Sequence, residues 1–211
     1  MVLSLFSIFS SSFLLALSGA LMPGPVLSVT VSESARRGAR VGPLIILGHG
    51  ILELLLVLAL LAGLAPVIAA DNVFVVVSLS GGVILLWMSY TMFRSLPGMK
   101  LSVNGDTQKP RNLVAAGILL SIANPYWTIW WATIGIGSIS YSMKFGTVGI
   151  FAFYTGHILA DLAWYSMISL GISKGRHLFT DIFYRRLIGF CAGFLLFFSI
   201  FFFYSGIEKI V

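Results

Sequence analysis

Charge is what this sequence has least of. Only 9% of its 211 residues are Asp, Glu, Lys or Arg, against about 25% in an ordinary soluble domain, and 58% are hydrophobic. No globular core hides that much apolar surface, which excludes a water-soluble domain and places the chain in a lipid bilayer. Extended polar sequence is missing too. The longest polar connection, RSLPGMKLSVNGDTQKPRN at 94–112, is too short to fold by itself, so the chemistry lies within the membrane. Cysteine occurs once, at Cys191, so neither an intrachain disulfide nor the cysteine pair of a membrane thiol relay can form; Cys191 reads as a small packing residue. The N-terminus lacks a basic segment as well. MVLSLFSIFSSSFLLALSGA has the apolar core and small residues of a signal peptide, but the first positive charge is Arg36, so it reads as an uncleaved first span.

What is present is a series of apolar runs. A transmembrane helix needs about 20 mostly apolar residues, and six such runs can be marked off, at roughly 9–32, 42–65, 73–94, 113–136, 146–170 and 187–206. The expectation is an all-α membrane protein of six transmembrane helices in a single domain. The net charge of +6 does not point to nucleic acid, because the basic residues are confined to the loops. Arg36, Arg37 and Arg40 follow the first run; Arg94, Lys100, Lys109 and Arg111 the third; Lys174, Arg176, Arg185 and Arg186 the fifth. Only Lys144 and Lys209 fall on the other side. By the positive-inside rule the three basic connections face the cytoplasm, and both termini face outward from the cell (plasma or inner) membrane.

The runs form two sets of three. Runs one and four are interrupted by proline in SGALMPGP and LSIANPYW; runs two and five carry GHGILEL and GHILADL; runs three and six carry GGVILLW and AGFLLFF. The order proline, His-x-x-x-acid, glycine is the same in each half. Repeat one covers about 9–95 and repeat two about 113–206, joined by a cytoplasmic linker at 96–112. Because three is odd, the second unit enters the membrane from the opposite side. Such inverted repeats are characteristic of secondary transporters, whose substrate sites lie near the midplane where broken helices meet.

The prolines identify the breaks. Proline removes a backbone donor and clashes with the carbonyl four residues earlier, so Pro23 and Pro25, flanking Gly24, should free the carbonyls of Gly19 and Leu21, and Pro125 that of Ser121. Irregular backbone persists in a membrane only when buried in protein or lining a cavity. Asn124 adds an amide that both donates and accepts, fit for a zwitterion's carboxylate or amine; the plainer reading is a structural kink with Asn124 bonded to a neighbouring helix.

Residues four apart on a helix lie about 40° apart around it, so His49 faces the same way as Glu53, and His157 the same way as Asp161. Glu53 is twelve residues into its run, roughly 18 Å at 1.5 Å per residue, and Asp161 is equally central. A carboxylate at that depth costs on the order of 3 kcal/mol on insertion scales, and such residues usually mark a pathway or proton relay. A substrate amine beside either acid competes with a proton for the negative charge, which is the minimal physics of proton-coupled exchange. Two other uses stay open: neutral hydrogen bonds joining helices, and a divalent transition metal held by His49, Glu53, His157 and Asp161, a mixed N and O set. Of the tryptophans in YWTIWW, Trp127 is nearest the break and the best cavity candidate; Trp130 and Trp131 read as wall or interfacial residues. Gly189 and Gly193 form a small-x-x-x-small pair suited to a homodimer or an internal contact. Glu33 with Arg36 and Arg37 reads as an interfacial ion pair. No nucleophile with a placed base is evident, nor any cofactor motif, so an enzyme is not expected.

On these motifs the chain resembles the LysE family of membrane exporters. GALMPGPVLSVTVSESARRGARVG looks like that family's Pro-Gly-Pro signature and basic turn, GHGILELLLVLALLAGL like its second helix with a midpoint acid, GGVILLWMSYTMFRS like its third, and ANPYW and GHILADLAWY like its fourth and fifth. The resemblance implies a six-helix exporter of amino acids or similar small metabolites, driven by the proton gradient, with functional roles for Pro23, Gly24, Pro25, Glu53, Asn124, Pro125 and Asp161. Glu53 stands where many relatives have Asp, and His49 is a further departure. The wider superfamily contains cation exporters, which keeps a metal substrate as the alternative.

Overall fold

The computed structural model of the chain describes residues 2–68, 70–98, 112–175 and 180–210. Lys100, Lys109, Arg111, Arg176 and most of the 96–112 linker lie outside them. Among the described residues every element is helical, as a chain with no water to satisfy its backbone requires.

The first apolar run becomes two helices, α1 (Val2–Ala20) and α2 (Pro25–Arg37). Helix thus starts well before residue 9, with Ser7 donating to the Leu3 carbonyl inside it. Gly24 is extended at the N-cap of α2 and Pro25 occupies its first turn, where proline's missing N–H is of no consequence. α3 (Val41–Ala59) passes through a π turn at Leu60–Leu64 into α4 (Ala65–Ile68). Gly63 there has φ 99°, a left-handed conformation favouring glycine; this interruption was not expected from the sequence. α5 spans Asp71–Ser95. α6 (Leu113–Ile122) meets the segment Pro125–Met143 at 65°; that segment is α7 (Pro125–Trp130), a π turn at Trp131–Gly135, and α8 (Ile136–Met143). α9 (Gly146–Gly175) and α10 (Asp181–Glu208) follow.

By length and composition, four helices can each cross a bilayer: Val2–Ala20, Val41–Val67, Asp71–Ser95 and Asp181–Glu208. The bent pair Leu113–Ile122 with Pro125–Met143 makes a fifth if taken as one span. On those criteria the described residues give four spans, or five with the bent pair, against the six marked on the sequence. α9 has the length, at 30 residues, but its apolar surface is interrupted by His157, Asp161 and several hydroxyl side chains.

The packing is inside-out relative to a soluble protein. Phe190, Phe197, Ile200, Phe201 and Tyr204 of α10 are exposed, whereas Ser12, Ser89 and Ser199 are buried and donate to carbonyls of partner helices: Ser12 to Phe153 at 2.7 Å, Ser89 to Ala192 and Ser199 to Gly82 at 2.8 Å. α1 runs along α9, α6 along α3, and α5 along α10, while α3 and α9 meet in the middle. Glycine sets the α3–α6 approach: a side chain on Gly48 would strike the carbonyl of Val114, and one on Gly117 the carbonyl of Ile45. The Gly189/Gly193 pair has no such role. Gly193 faces open space and Gly189 meets only the side chain of Leu96. Val31, Ala35, Ile172 and Ile188 close one end of the bundle, the end at which Arg37, Arg94, Lys174 and Arg185 are found. There Glu33 pairs with Arg37 at 2.7 Å. Asp71 and Lys209, 3.1 Å apart, join the start of α5 to the end of α10.

Candidate functional site

The interior of the bundle brings both His-x-x-x-acid motifs into one cluster. α3 carries His49 and Glu53, α9 carries His157 and Asp161, and each imidazole reaches both acids. His49 Nε2 is 3.1 Å from Glu53 Oε1 and 3.5 Å from Asp161 Oδ2; His157 Nε2 is 3.2 Å from Glu53 Oε2 and 3.6 Å from Asp161 Oδ2. One ligand-type atom from each of the four lies within 4.8 Å of all the others. Glu53 is 1% exposed and Asp161 5%. Burying a carboxylate as deeply as Glu53 is tolerable only because donors surround it.

Those donors come largely from the broken fourth run. Trp127 and Trp131 both donate their indole N–H to Glu53 Oε1, at 3.0 and 2.9 Å. This gives Trp131, read as a wall or interfacial residue, a donor role as well, while Trp130 is buried in the chamber wall, its ring 4.8 Å from that of His157. The signal was the i, i+4 spacing of Trp127 and Trp131, the same rule that paired histidine with acid. Ser121 is a second residue that sequence reasoning missed: its hydroxyl is 2.7 Å from His49 Nδ1 and donates to the Gly117 carbonyl, also at 2.7 Å. Tyr154 of α9 donates to the Gly50 carbonyl of α3 at 2.8 Å, holding the two motif-bearing helices in register.

The two breaks lie beside this cluster and against each other. A side chain on Gly24 would come within 3.5 Å of Asn124 Nδ2. Asn124 Oδ1 is already used, accepting from the Tyr126 N–H at 3.2 Å to cap α7, so Nδ2 is the amide atom turned toward the first break. Two carbonyls expected to be free are not. The chain turns tightly after each helix, so that Met22 N–H reaches Gly19 O and Asn124 N–H reaches Ser121 O, both at 3.1 Å. The breaks therefore contribute shape and a glycine backbone more than bare acceptors.

A chamber of about 60 Å³ runs between breaks and cluster, lined by Gly19 and Gly24, by Asn124 and Trp127, and by all four motif side chains. One water needs roughly 10–15 Å³ on this measure, so several fit. Pro23 and Pro25 border a smaller adjoining pocket with Asn124, and Pro125 packs its ring on Gly81 of α5.

No solved structure matches the chain. The protein named Chemotactic transduction protein ChpE, from Pseudomonas aeruginosa, is 26% identical over 161 residues, covering 75% of this chain and 78% of that protein. The LysE type translocator family matches residues 17–206, a stretch that includes both breaks, both His–acid pairs and the indole donors. The chain belongs to the LysE type translocator family.

Proposed function

We propose that this protein is a secondary active exporter of amino acids or similar small metabolites, coupled to protons, with its site at the midplane between two inverted three-helix repeats. Membership of the family makes it a multi-pass membrane translocator of small molecules and not an enzyme. The observation that carries the finer reading is the meeting, in one chamber, of two His–acid pairs and two helix breaks drawn from opposite halves of the chain. In that reading Glu53 and Asp161 take protons or the substrate amine, His49 and His157 tune them, and Asn124 Nδ2 and Trp127 face the remainder of the solute.

The repeat, with halves at 9–95 and 113–206, is supported by the way contacts recur. α1 lies on α9 as α6 lies on α3, each being the first part of a broken run packed on the motif helix of the other half. Ser89 and Ser199 stitch α5 and α10 reciprocally. The basic end of the bundle faces the cytoplasm of the plasma or inner membrane, with both termini outside. The reading is tested by counterflow in proteoliposomes with a panel of amino acids: Glu53→Gln and Asp161→Asn are each expected to abolish exchange, and normal exchange by both variants would sink it.

One observation favours a second reading, export of a divalent metal cation as substrate: the two imidazoles and two carboxylates form a compact mixed-ligand set of the kind transition metals take. Stabilisation against heat by such a metal, lost in His49→Ala, with no response to amino acids, would select it.

A further inference from the structure

The two carboxylates are equivalent in sequence and unequal in surroundings. We infer that they divide the work: Glu53 is the fixed counter-anion of the chamber, and Asp161 is the acid that exchanges its proton for the substrate's cationic group. This rests on the proton-coupled reading above and assigns its exchange step to one residue.

Hydrogen bonding carries the distinction. Glu53 Oε1 accepts two aligned indole N–H bonds, and indole nitrogen only donates, so no carboxyl proton fits on that oxygen. The third neighbour of Oε1, His49 Nε2 at 3.1 Å, belongs to a ring whose other nitrogen is also committed. The single proton of Ser121 points to the Gly117 carbonyl, so Ser121 Oγ receives a hydrogen bond from His49 Nδ1–H. With Nδ1 protonated, His49 faces an acceptor-only oxygen through Nε2, and a proton on Nε2 satisfies both groups. Glu53 and His49 thus form an ion pair held by two tryptophans and a serine, with His157 Nε2 3.2 Å from the remaining oxygen, Oε2.

Asp161 has none of this support. Its Oδ2, like Glu53 Oε2, is buried without a hydrogen-bond partner, but no indole donates to Asp161, and its nearest nitrogens, His49 Nε2 and His157 Nε2, are 3.5 and 3.6 Å away, past the usual range for an aligned bond and farther than the 3.1 and 3.2 Å at which they approach Glu53. The positions two and six residues beyond the helix-starting proline, occupied by Trp127 and Trp131 after Pro125, hold Leu27 and Val31 after Pro25, which donate nothing. The titratable groups of the chamber that Asp161 faces are Glu53 and His49 from α3, Tyr126 from α7, and His157 and Tyr165 from its own helix; the chamber-lining residues of α1, α2 and α6 carry no charge. Two N–H donors on Glu53 Oε1 favour its charged form, whereas a buried carboxylate with no such donor favours either a proton or an ammonium group. Water on one side delivers a proton to Oδ2, and the same proton returns to water on the other side as the ammonium takes its place, so charge is conserved over the cycle.

Infrared titration of the purified protein in detergent, with the proton as the only ligand, reads this directly through the carboxylic acid C=O stretch. A pH-dependent carboxylic band is expected in the wild type, lost in Asp161→Asn and shifted in frequency in Asp161→Glu. It is expected to be unchanged in Glu53→Asp, which keeps an acid on α3 in case Glu53→Gln does not fold. A band that shifts in Glu53→Asp, or that survives Asp161→Asn, overturns the division. Absence of any such band from the wild type would instead remove the proton-coupled reading itself.

Discussion

The α3 and α9 halves of the cluster make the same motif into two different environments. On α3, Glu53 is enclosed by Trp127, Trp131 and His49; on α9, Asp161 has histidines near it at 3.5 and 3.6 Å but no indole donor, although each acid keeps one buried oxygen without a hydrogen-bond partner. The difference arises on neither helix. It comes from the segment after each break, which carries indoles in the second half and aliphatic side chains in the first. Two His-x-x-x-acid motifs supply two carboxylates to one cluster, and the unmatched neighbours decide what each can do.

The largest expected effect breaks the comparison at its strong side. Glu53→Gln strands two indole donors and a histidine in the interior, and removing one partner of a buried pair costs about 3–5 kcal/mol. Asp161→Asn removes no aligned bond at Oδ2 and should cost about 1 kcal/mol or less. Thermal unfolding in detergent compares them, and equal losses would erase the distinction. Next comes Trp131→Phe, which deletes one hydrogen bond to a charged group, worth about 1.5–3 kcal/mol.

A smaller effect separates glycines that join helices from glycines that do not. Gly117→Ala drives a methyl group into the Ile45 carbonyl and should cost about 1–3 kcal/mol. Gly193→Ala points into open space and should fall within about 0.5 kcal/mol of the parent. Smallest is Lys209→Ala, which removes an exposed ion pair with Asp71; surface pairs contribute roughly 0–1 kcal/mol, so the midpoint should hardly move.

Much of the site was legible in the sequence because it obeys a short-range rule. His49 with Glu53, and His157 with Asp161, are i, i+4 pairs inside apolar runs, and the prolines at 23, 25 and 125 mark where backbone must leave the helix. Trp131 was harder, since tryptophan in a membrane serves walls, belts and sites alike, and only its spacing from Trp127 spoke for the third. Ser121 looked like one of many hydroxyls satisfying their own helix. The Gly63 interruption and the turns that reclaim the Gly19 and Ser121 carbonyls depend on local backbone geometry, which residue identity constrains weakly. The inequality of the two acids was the least legible feature. It is a relation between helices far apart in the chain.

The measurement that bears most directly on the proposed exchange is proton movement in proteoliposomes holding a pH-sensitive dye, loaded in turn with each amino acid of a panel. With the right solute, efflux should draw protons inward in the wild type, and Asp161→Asn should show neither flux. Efflux without any pH change, or equal proton movement in Asp161→Asn, would contradict proton-coupled export through Asp161.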